Sequence, residues 1–296
     1  MPCFNHARFL MESVKSVLRQ THADLELIIT DDCSSDNSWD VMTGLASHDQ
    51  RVSLIRHERN RGLPKSRNDG LQAVKGEFIA FCDSDDIWES NKLETQVNSL
   101  EQNPEDDIVY CDTLIIDANG LLTGQRFSDI YPLPGTPYGW LFEELVRGNF
   151  INVQSALMRK RCLQSVDHFD EDLGVLEDWW YWVQLSRDHR FLYLKQPLAR
   201  YRVHGESMTA TKRRCFPVTR VKIFRRMLEK YTDLSRRAKA DIFYDMGVDL
   251  CQLGRYRMGR RLLSKAIRLS FGDARTFARL CKATMRIAMY SVPLRW

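Results

Sequence analysis

The sequence lacks the features that would place it across a membrane or in an oxidising compartment. No apolar run approaches the roughly 18 residues that a transmembrane helix needs. The first residues have neither the basic start nor the apolar middle of a signal peptide. The eight cysteines are scattered without a C-x-x-C pair, which predicts reduced thiols and neither a disulfide framework nor a zinc site. We therefore expect a cytoplasmic protein.

Acidic residues are scarce at one end of the chain. Residues 212–296 hold 22 Lys and Arg against 6 Asp and Glu, a balance of +16. Residues 1–211 hold 21 and 33, a balance of −12, so the net charge of +4 hides an acidic body and a basic region. The basic region suits an anionic membrane surface or a lipid-linked acceptor, and the alternative is that it docks on the acidic body. Nucleic acid is not the expected partner.

Short apolar segments alternate with amphipathic ones along the first 210 residues. Strands are predicted at 25–30, 52–56, 78–82, 108–117, 153–158, 191–194 and 198–203, and helices at 9–19, 39–45, 66–74, 88–100, 138–147 and 177–187. The alternation predicts an α/β body, 1–211, with a mostly parallel, Rossmann-like sheet. Ligands of such sheets bind beyond the carboxyl ends of the strands. An all-α region, 212–296, is predicted to follow, with helices at 216–231, 235–253, 255–269 and 274–291.

Two acidic turns fall at that edge of the predicted sheet. Asp31 and Asp32 follow one strand, and Asp83 and Asp85 follow another. In an extended chain, side chains two residues apart point the same way, and two carboxylates so close favour a bound cation. Oxygen ligands suit Mg²⁺ or Mn²⁺, and these ions commonly bind together with a substrate phosphate. The alternative is a solvated acidic turn that caps the next helix.

Several short motifs occur in one order along residues 1–210. They are Pro2-Cys3-Phe4-Asn5, Asp31-Asp32-Cys33-Ser34-Ser35-Asp36, Asn60-Arg61-Gly62, Ser66-Arg67-Asn68, Gly76-Glu77-Phe78-Ile79, Asp83-Ser84-Asp85-Asp86 and Glu177-Asp178-Trp179. The series resembles the family-2 inverting glycosyltransferases of the GT-A fold. The resemblance implies transfer of a sugar from a nucleotide-diphosphate donor, expected to be a UDP-sugar, to a hydroxyl of a glycan or lipid-linked acceptor. It also implies Mn²⁺ or Mg²⁺ as cofactor and a place in surface polysaccharide or lipid-linked glycan assembly.

The resemblance further implies a role for each matching residue. Those assigned to the nucleotide are Pro2, Asn5, Asp32, Arg67 and Asp83, and those assigned to the metal are Asp85, Asp83 and His204. Asp178 matches the general base that takes the proton of the acceptor hydroxyl, and Glu177 would orient it. The alternative for Glu177 and Asp178 is an acidic first turn of an amphipathic helix. For Arg67 the alternative is a solvated helix residue.

One part of the family pattern is missing at the start of the chain. Family members carry an apolar strand before the segment that matches Pro2–Asn5, whereas Met1 directly precedes Pro2 here. We therefore expect a gap in the sheet, with unpaired backbone groups on the two strands that flank it. The gap favours the alternative of a non-catalytic, truncated transferase-like protein that acts as a helical interaction module, whereas the retained carboxylates favour the enzyme. A nucleotidyltransferase would need a glycine-rich basic phosphate loop, which the sequence lacks.

Overall fold

The computed structural model describes residues 1–270 of the chain. The predicted helix at 274–291 lies outside the described residues. The chain divides into two compact units: the first joins Met1–Leu145 to Asn149–Ser207, and the second joins Val146–Gly148 to the residues from Met208 onward. The sequence placed the domain boundary between residues 211 and 212.

The first unit alternates strands and helices as predicted. Its strands are β1 Pro2–Cys3, β2 Leu27–Asp31, β3 Val52–Arg56, β4 Phe78–Ala80, β5 Ile87–Trp88, β6 Ile108–Ile116, β7 Leu122–Arg126, β8 Leu157–Arg159 and β9 Phe191–Arg202. Its helices are α1 Ala7–Leu18, α2 Ser38–His48, α3 Leu63–Ala73, α4 Lys92–Gln102, α5 Phe127–Ile130, α6 Phe142–Leu145 and α7 Glu177–Leu185. Apolar faces of α1, α2 and α4 pack on the fully buried strand β2 and its neighbours to form the core.

Some elements differ in extent from the prediction. The helix expected at 138–147 is reduced to α6, because Gly139 takes a φ of 85° and its backbone forms a bridge with Phe191. The two strands expected around Pro197 form the single strand β9. Pro197 lies where the register between β6 and β9 shifts, a place where the missing N–H of a proline breaks no regular ladder bond.

The strands form two separate sheets. In the first, β1, β2 and β3 are parallel and adjacent in that order. The second has the order β4-β8-β6-β9-β5, with β7 beside β6. Within it β6 and β9 are parallel, and the other described pairs are antiparallel. The turn at Asn119 and Gly120, with a φ of 84° at the glycine, closes the β6–β7 hairpin.

A cavity of about 620 Å³ lies between the two sheets. Its walls come from β2 and β4, with Leu71 of α3 and Leu93 and Val97 of α4 closing it. Strand β4 pairs with β8 on one side. Strand β1 pairs with Thr30 and Asp31, the last two residues of β2. Among the described strands, β4 pairs on one side alone, and its other edge lines this cavity.

The second unit is helical. Its helices are α8 Met208–Thr211, α9 Phe216–Lys230, α10 Arg236–Gln252 and α11 Tyr256–Leu269. Helices α10 and α11 approach closely where Gly247 faces Gly259: a Cβ on Gly259 would lie 2.7 Å from the Gly247 carbonyl oxygen. The exposed side of α11 is basic and carries Arg257, Arg260, Arg261, Lys265 and Arg268. Within residues 1–270, no helix has both the length and the apolar character needed to cross a bilayer.

Candidate active site

The acidic turn after β4 separates its carboxylates. The Asp83 carboxylate accepts a hydrogen bond from the Arg67 guanidinium at 2.8 Å. The Asp85 carboxylate lies 3.0 Å from Nε2 of His204. Asp86 is buried and accepts the backbone N–H of Arg202 at 2.7 Å. Burial, together with the charges of Asp85 and Asp83, raises the pKa of Asp86 well above its usual range. The turn therefore supplies two carboxylates to different neighbours and buries the third as a structural acceptor.

Arg67 joins the acidic turn to the start of α7. This buried residue of α3 forms ion pairs with Asp83 and with Glu177, which lies 110 residues further along the chain. The guanidinium also packs on the aromatic ring of Phe169, whose centroid lies 5.5 Å from the guanidinium carbon. Burial lowers the pKa of Arg67, but Asp83 and Glu177 outweigh it and hold the pKa above its ordinary value. The sequence alternative of a solvated helix residue is thus wrong for Arg67.

The two acids at the start of α7 are held in place by different groups. Burial raises the pKa of Glu177, the charge of Arg67 lowers it and the charge of Asp178 raises it. Together these effects bring the pKa of Glu177 to about 7. Asp178 is half-buried, and burial raises its pKa as well. The Asp178 carboxylate accepts the backbone N–H of Trp179 at 2.8 Å and the side-chain amide N–H of Asn149 at 3.1 Å. Leu176 precedes them with a φ of 59°, a strained left-handed conformation for leucine that turns the chain into the helix.

Asp178 therefore lies in one cluster with the acidic turn. Arg67 bridges Asp83 to Glu177, and its positive charge also acts on Asp178. Asn149, which donates a hydrogen bond to the Asp178 carboxylate, is a residue of this cluster that the sequence did not single out. It lies in an irregular segment without a motif around it, so no local pattern could have identified it.

Asp32, in the acidic turn after β2, also accepts several hydrogen bonds. Asp32 accepts the backbone N–H groups of Arg61 at 2.7 Å and Gly62 at 2.8 Å, and it lies 2.7 Å from Nδ1 of His57. The other ring nitrogen of His57 lies 2.8 Å from Asp69. Asp32 thus fixes the turn of the Asn60-Arg61-Gly62 motif. These hydrogen bonds from Arg61 and Gly62 hold the Asn60-Arg61-Gly62 motif against the motif that contains Asp32.

The first motif lies beside the same turn. Pro2 belongs to β1 and is paired with Thr30. Asn5 takes a φ of 56°, and its side-chain oxygen accepts the backbone N–H of Ser35 at 2.8 Å and of Asp36 at 3.3 Å. The structure therefore places Pro2 beside the end of β2, just before Asp32, and Asn5 beside the segment that follows Asp32.

A second cluster consists of three side chains of the types that commonly serve as metal ligands. His6, Asp85 and His204 each offer one ligand atom, and these atoms lie within 4.8 Å of one another. The sequence predicted Asp85 and His204 for this site, and His6 was missed because a histidine between a turn and a helix is ordinarily a surface residue. Asp83, also predicted as a ligand, is engaged by Arg67 and does not belong to this group of described residues. The donor set fits a divalent cation, since it combines a carboxylate with imidazole nitrogens.

Another buried group, Asp107, Cys162 and His189, has ligand atoms at similar spacing. Both ring nitrogens of His189 are engaged, one 2.8 Å from Asp107 and the other 3.0 Å from Ser165. Burial raises the pKa of Cys162 to about 12, so the thiol stays protonated and is a poor ligand. This group is a structural hydrogen-bond network. The seven cysteines among residues 1–270 are unpaired thiols, as predicted.

Comparison with known proteins identifies the family of this chain. The sequence profile described as glycosyl transferase family 2 matches residues 1–162. The UDP-Glc:alpha-D-GlcNAc-diphosphoundecaprenol beta-1,3-glucosyltransferase WfgD of Escherichia coli is 29% identical over 214 residues, covering 72% of this chain and 79% of the relative. The putative teichuronic acid biosynthesis glycosyltransferase TuaG of Bacillus subtilis is 38% identical over 99 residues, covering 33% of this chain and 39% of the relative.

Solved structures resemble the chain over a longer span. S. aureus TarS 1-349 in complex with UDP-GlcNAc has a TM-score of 0.68 at 17% identity, covering 90% of this chain and 79% of that one. The mannosyltransferase PcManGT from Pyrobaculum calidifontis, in complex with GDP-Man and Mn²⁺, has a TM-score of 0.63 at 17% identity, covering 98% and 79%. At such low identity the likeness concerns the fold, and it confirms the predicted GT-A body followed by a helical region.

Proposed function

Because the chain belongs to glycosyl transferase family 2, we propose that it transfers a sugar from a nucleotide-diphosphate donor to an acceptor hydroxyl, with inversion and with help from a divalent cation. The observation that carries the proposal is the cluster around Arg67. This one guanidinium pairs with Asp83 of the acidic turn and with Glu177 at the start of α7. Carboxylates from distant parts of the chain thus lie close together, which supports a single site for a donor diphosphate and an acceptor hydroxyl.

The donor is proposed to be a UDP-sugar. The E. coli relative is named for a UDP-glucose donor, and the TarS structure contains UDP-GlcNAc. Asp32 would accept a hydrogen bond from the base, and Pro2 and Asn5 would border the nucleotide, while Asp83 would face its ribose or phosphates. Arg67 is neutralised by its acidic partners, so its contribution to nucleotide binding would be to hold Asp83 in place.

The cation is proposed to be Mn²⁺ or Mg²⁺, held by Asp85 and His204, with Asp83 nearby. The likeness to a structure that contains Mn²⁺ supports the use of a metal. When bound, the cation would neutralise the negative charge that develops on the departing nucleotide diphosphate. The protein's own part is to keep the Asp85 carboxylate ionised: burial raises its pKa, but the His204 hydrogen bond and the charges of His6 and His204 lower it overall.

Asp178 is proposed as the general base. It would take the proton of the acceptor hydroxyl while the oxygen attacks the anomeric carbon, and a single displacement of this kind inverts that carbon. Burial raises the pKa of Asp178, which makes its carboxylate a stronger base than that of an ordinary aspartate. Asn149 and the Trp179 N–H fix the two carboxylate oxygens, and Glu177 positions the helix start through Arg67.

The acceptor is proposed to be a lipid-linked glycan precursor or a growing polysaccharide. The E. coli relative is named for a diphosphoundecaprenol-linked acceptor. The exposed basic side of α11 would favour contact with an anionic membrane surface, where such acceptors reside. Each basic side chain near such a surface contributes about 1 kcal/mol of attraction.

Replacement of the proposed base tests the function. Asp178→Asn should lower the transfer rate by about 10²–10⁴-fold, because general-base catalysis contributes that much, while UDP-sugar binding is retained. The matched control is Asp188→Asn, an exposed carboxylate beyond the end of α7, which should transfer at the normal rate. Binding is measured by thermal unfolding with UDP and Mn²⁺, since a ligand at 100 times its Kd stabilises the fold by about 2.7 kcal/mol. An unchanged melting temperature would support the non-catalytic alternative.

A further inference from the structure

The histidine before α1 lies within reach of the proposed metal site. His6 lies just before α1, Asp85 in the turn after β4, and His204 just after β9. Their ligand atoms lie within 4.8 Å of one another, although they come from three distant parts of the chain. The Phe9 ring packs against both histidines, with its centroid 4.7 Å from that of His204 and 6.2 Å from that of His6. The two imidazoles are therefore held by the fold and are not loose surface side chains.

The hydrogen bonds of His6 leave one ring nitrogen available. Nδ1 of His6 lies 2.7 Å from the Ser84 hydroxyl, and no described residue is hydrogen-bonded to Nε2. Histidines that bind metals usually use one ring nitrogen for the ion and the other for an oxygen partner that orients the ring. Ser84 lies between Asp83 and Asp85, so the same turn that supplies the carboxylate ligand also orients His6.

The neighbouring histidine, His204, has a buried ring nitrogen without a hydrogen-bond partner among the described residues. His204 is 8% exposed, and its Nδ1 has no hydrogen-bond partner among the described residues. Its Nε2 lies 3.0 Å from the Asp85 carboxylate oxygen. Two ligands each about 2.1 Å from one ion, at adjacent corners of an octahedron, are themselves about 3 Å apart. The observed separation therefore suits a shared ion as well as it suits a hydrogen bond.

We infer that His6 is a third protein ligand of the metal site, which is thereby a site of two histidines and one carboxylate that prefers Mn²⁺ or Co²⁺ to Mg²⁺. The inference rests on the metal-dependent transfer proposed above and adds a ligand and a selectivity to it. Imidazole nitrogen suits transition metals, whereas Mg²⁺ favours oxygen ligands. Asp83 is held by Arg67, so the oxygen-rich alternative of two aspartates on one ion is not supported by its contacts.

Metal binding without nucleotide tests this inference directly. Mn²⁺ and Mg²⁺ affinities are measured by calorimetry for the wild type, for His6→Asn and for His6→Asp, with the exposed His168→Asn as matched control. Asparagine can keep a hydrogen bond to Ser84 but offers nothing at the position of Nε2. We expect His6→Asn to weaken Mn²⁺ binding at least tenfold, and His6→Asp to shift the ratio of affinities towards Mg²⁺. The control should bind both ions as the wild type does.

Pulsed EPR of the bound Mn²⁺ gives a second readout that does not depend on affinity. Nitrogen couplings from two imidazoles are expected in the wild type and from one in His6→Asn. Equal Mn²⁺ affinity and equal nitrogen couplings in these two proteins would overturn the role of His6 and leave the proposed transferase intact. A wild type that binds neither ion, with a melting temperature unchanged by UDP and Mn²⁺, would overturn the metal site and the proposed function together.

Discussion

Replacing the buried lysine of α4 should change how stability depends on pH. Lys92 is 0% exposed, its ammonium donates to the Gln96 side-chain oxygen at 2.6 Å, and it lies 4.2 Å from the centroid of the Trp88 ring. No described carboxylate forms an ion pair with it. Burial lowers its pKa from 10.5 to about 8, although the neighbouring thiols of Cys82 and Cys111 act in the opposite direction.

The size of the effect follows from this difference in pKa. In the unfolded chain the lysine keeps an ordinary pKa, so above pH 8 the unfolded state binds more protons than the folded state. Stability must then rise with pH, by up to about 1.4 kcal/mol per pH unit. At pH 7 the charged form costs about 3.4 kcal/mol relative to a lysine that is neutral in both states, and at pH 9.5 about 1.4 kcal/mol remains. Lys92 should therefore add about 2 kcal/mol to the wild type between these two pH values.

Urea unfolding of the wild type and Lys92→Met at pH 7.0, 8.0, 9.0 and 9.5 measures this contribution. Other groups titrate over the same range, but they titrate in both proteins and cancel in the difference. The exposed Lys195→Met is the matched control, and its difference from the wild type should not vary with pH. If the difference between wild type and Lys92→Met stays constant from pH 7.0 to 9.5, the ammonium is not desolvated in the way that its burial indicates.

Three further predictions concern the site and the helical unit. Arg67→Met leaves buried carboxylates uncompensated, so the free energy of unfolding should fall by about 3–5 kcal/mol in urea titrations; adding Glu177→Gln should recover part of the loss, and no recovery would contradict the pairing. Because burial raises the pKa of Asp178, the transfer rate should decline as the pH falls through a midpoint above the ordinary aspartate value of about 3.9; a rate that is flat down to pH 4 would refute its role as base. Gly259→Ala forces a Cβ to within 2.7 Å of the facing carbonyl oxygen and should destabilise the protein by about 1–3 kcal/mol, whereas Gly44→Ala, with open space around it in α2, should stabilise it by about 0.5–1 kcal/mol; both are read from urea titrations, and equal effects would contradict the close helix contact.

The sequence predicted those parts of the fold and site that depend on local residue patterns. Strand β3 matches its predicted residues, 52–56, because an apolar segment bounded by polar turns depends on few distant contacts. The carboxylates of Asp83 and Asp85 were identified from their spacing, but their separation into two clusters depends on Arg67 and His204, which pack against the turn from other elements.

Burial of charged side chains was the least predictable feature. Lys92 follows an Asn and precedes an apolar residue, a pattern that usually exposes the amino group, yet the core encloses it. The pairing of Arg67 with Glu177 joins residues 110 positions apart, and no local pattern encodes which distant acid meets which base. Such contacts depend on how α3 and α7 are positioned relative to each other in the folded chain.

The cavity between the sheets has a consequence for the distance across the active site. Strand β2 leads into the turn that holds Asp32, and β4 leads into the turn that holds Asp85, so the two strands that wall the cavity carry the proposed base-binding and metal-binding ends of the site. Neighbouring strands lie about 4.8 Å apart, so one extended segment between them would fix their separation at about 9.6 Å. A segment that filled this cavity would thus set the distance between the Asp32 turn and the Asp85 turn without lying against either of them.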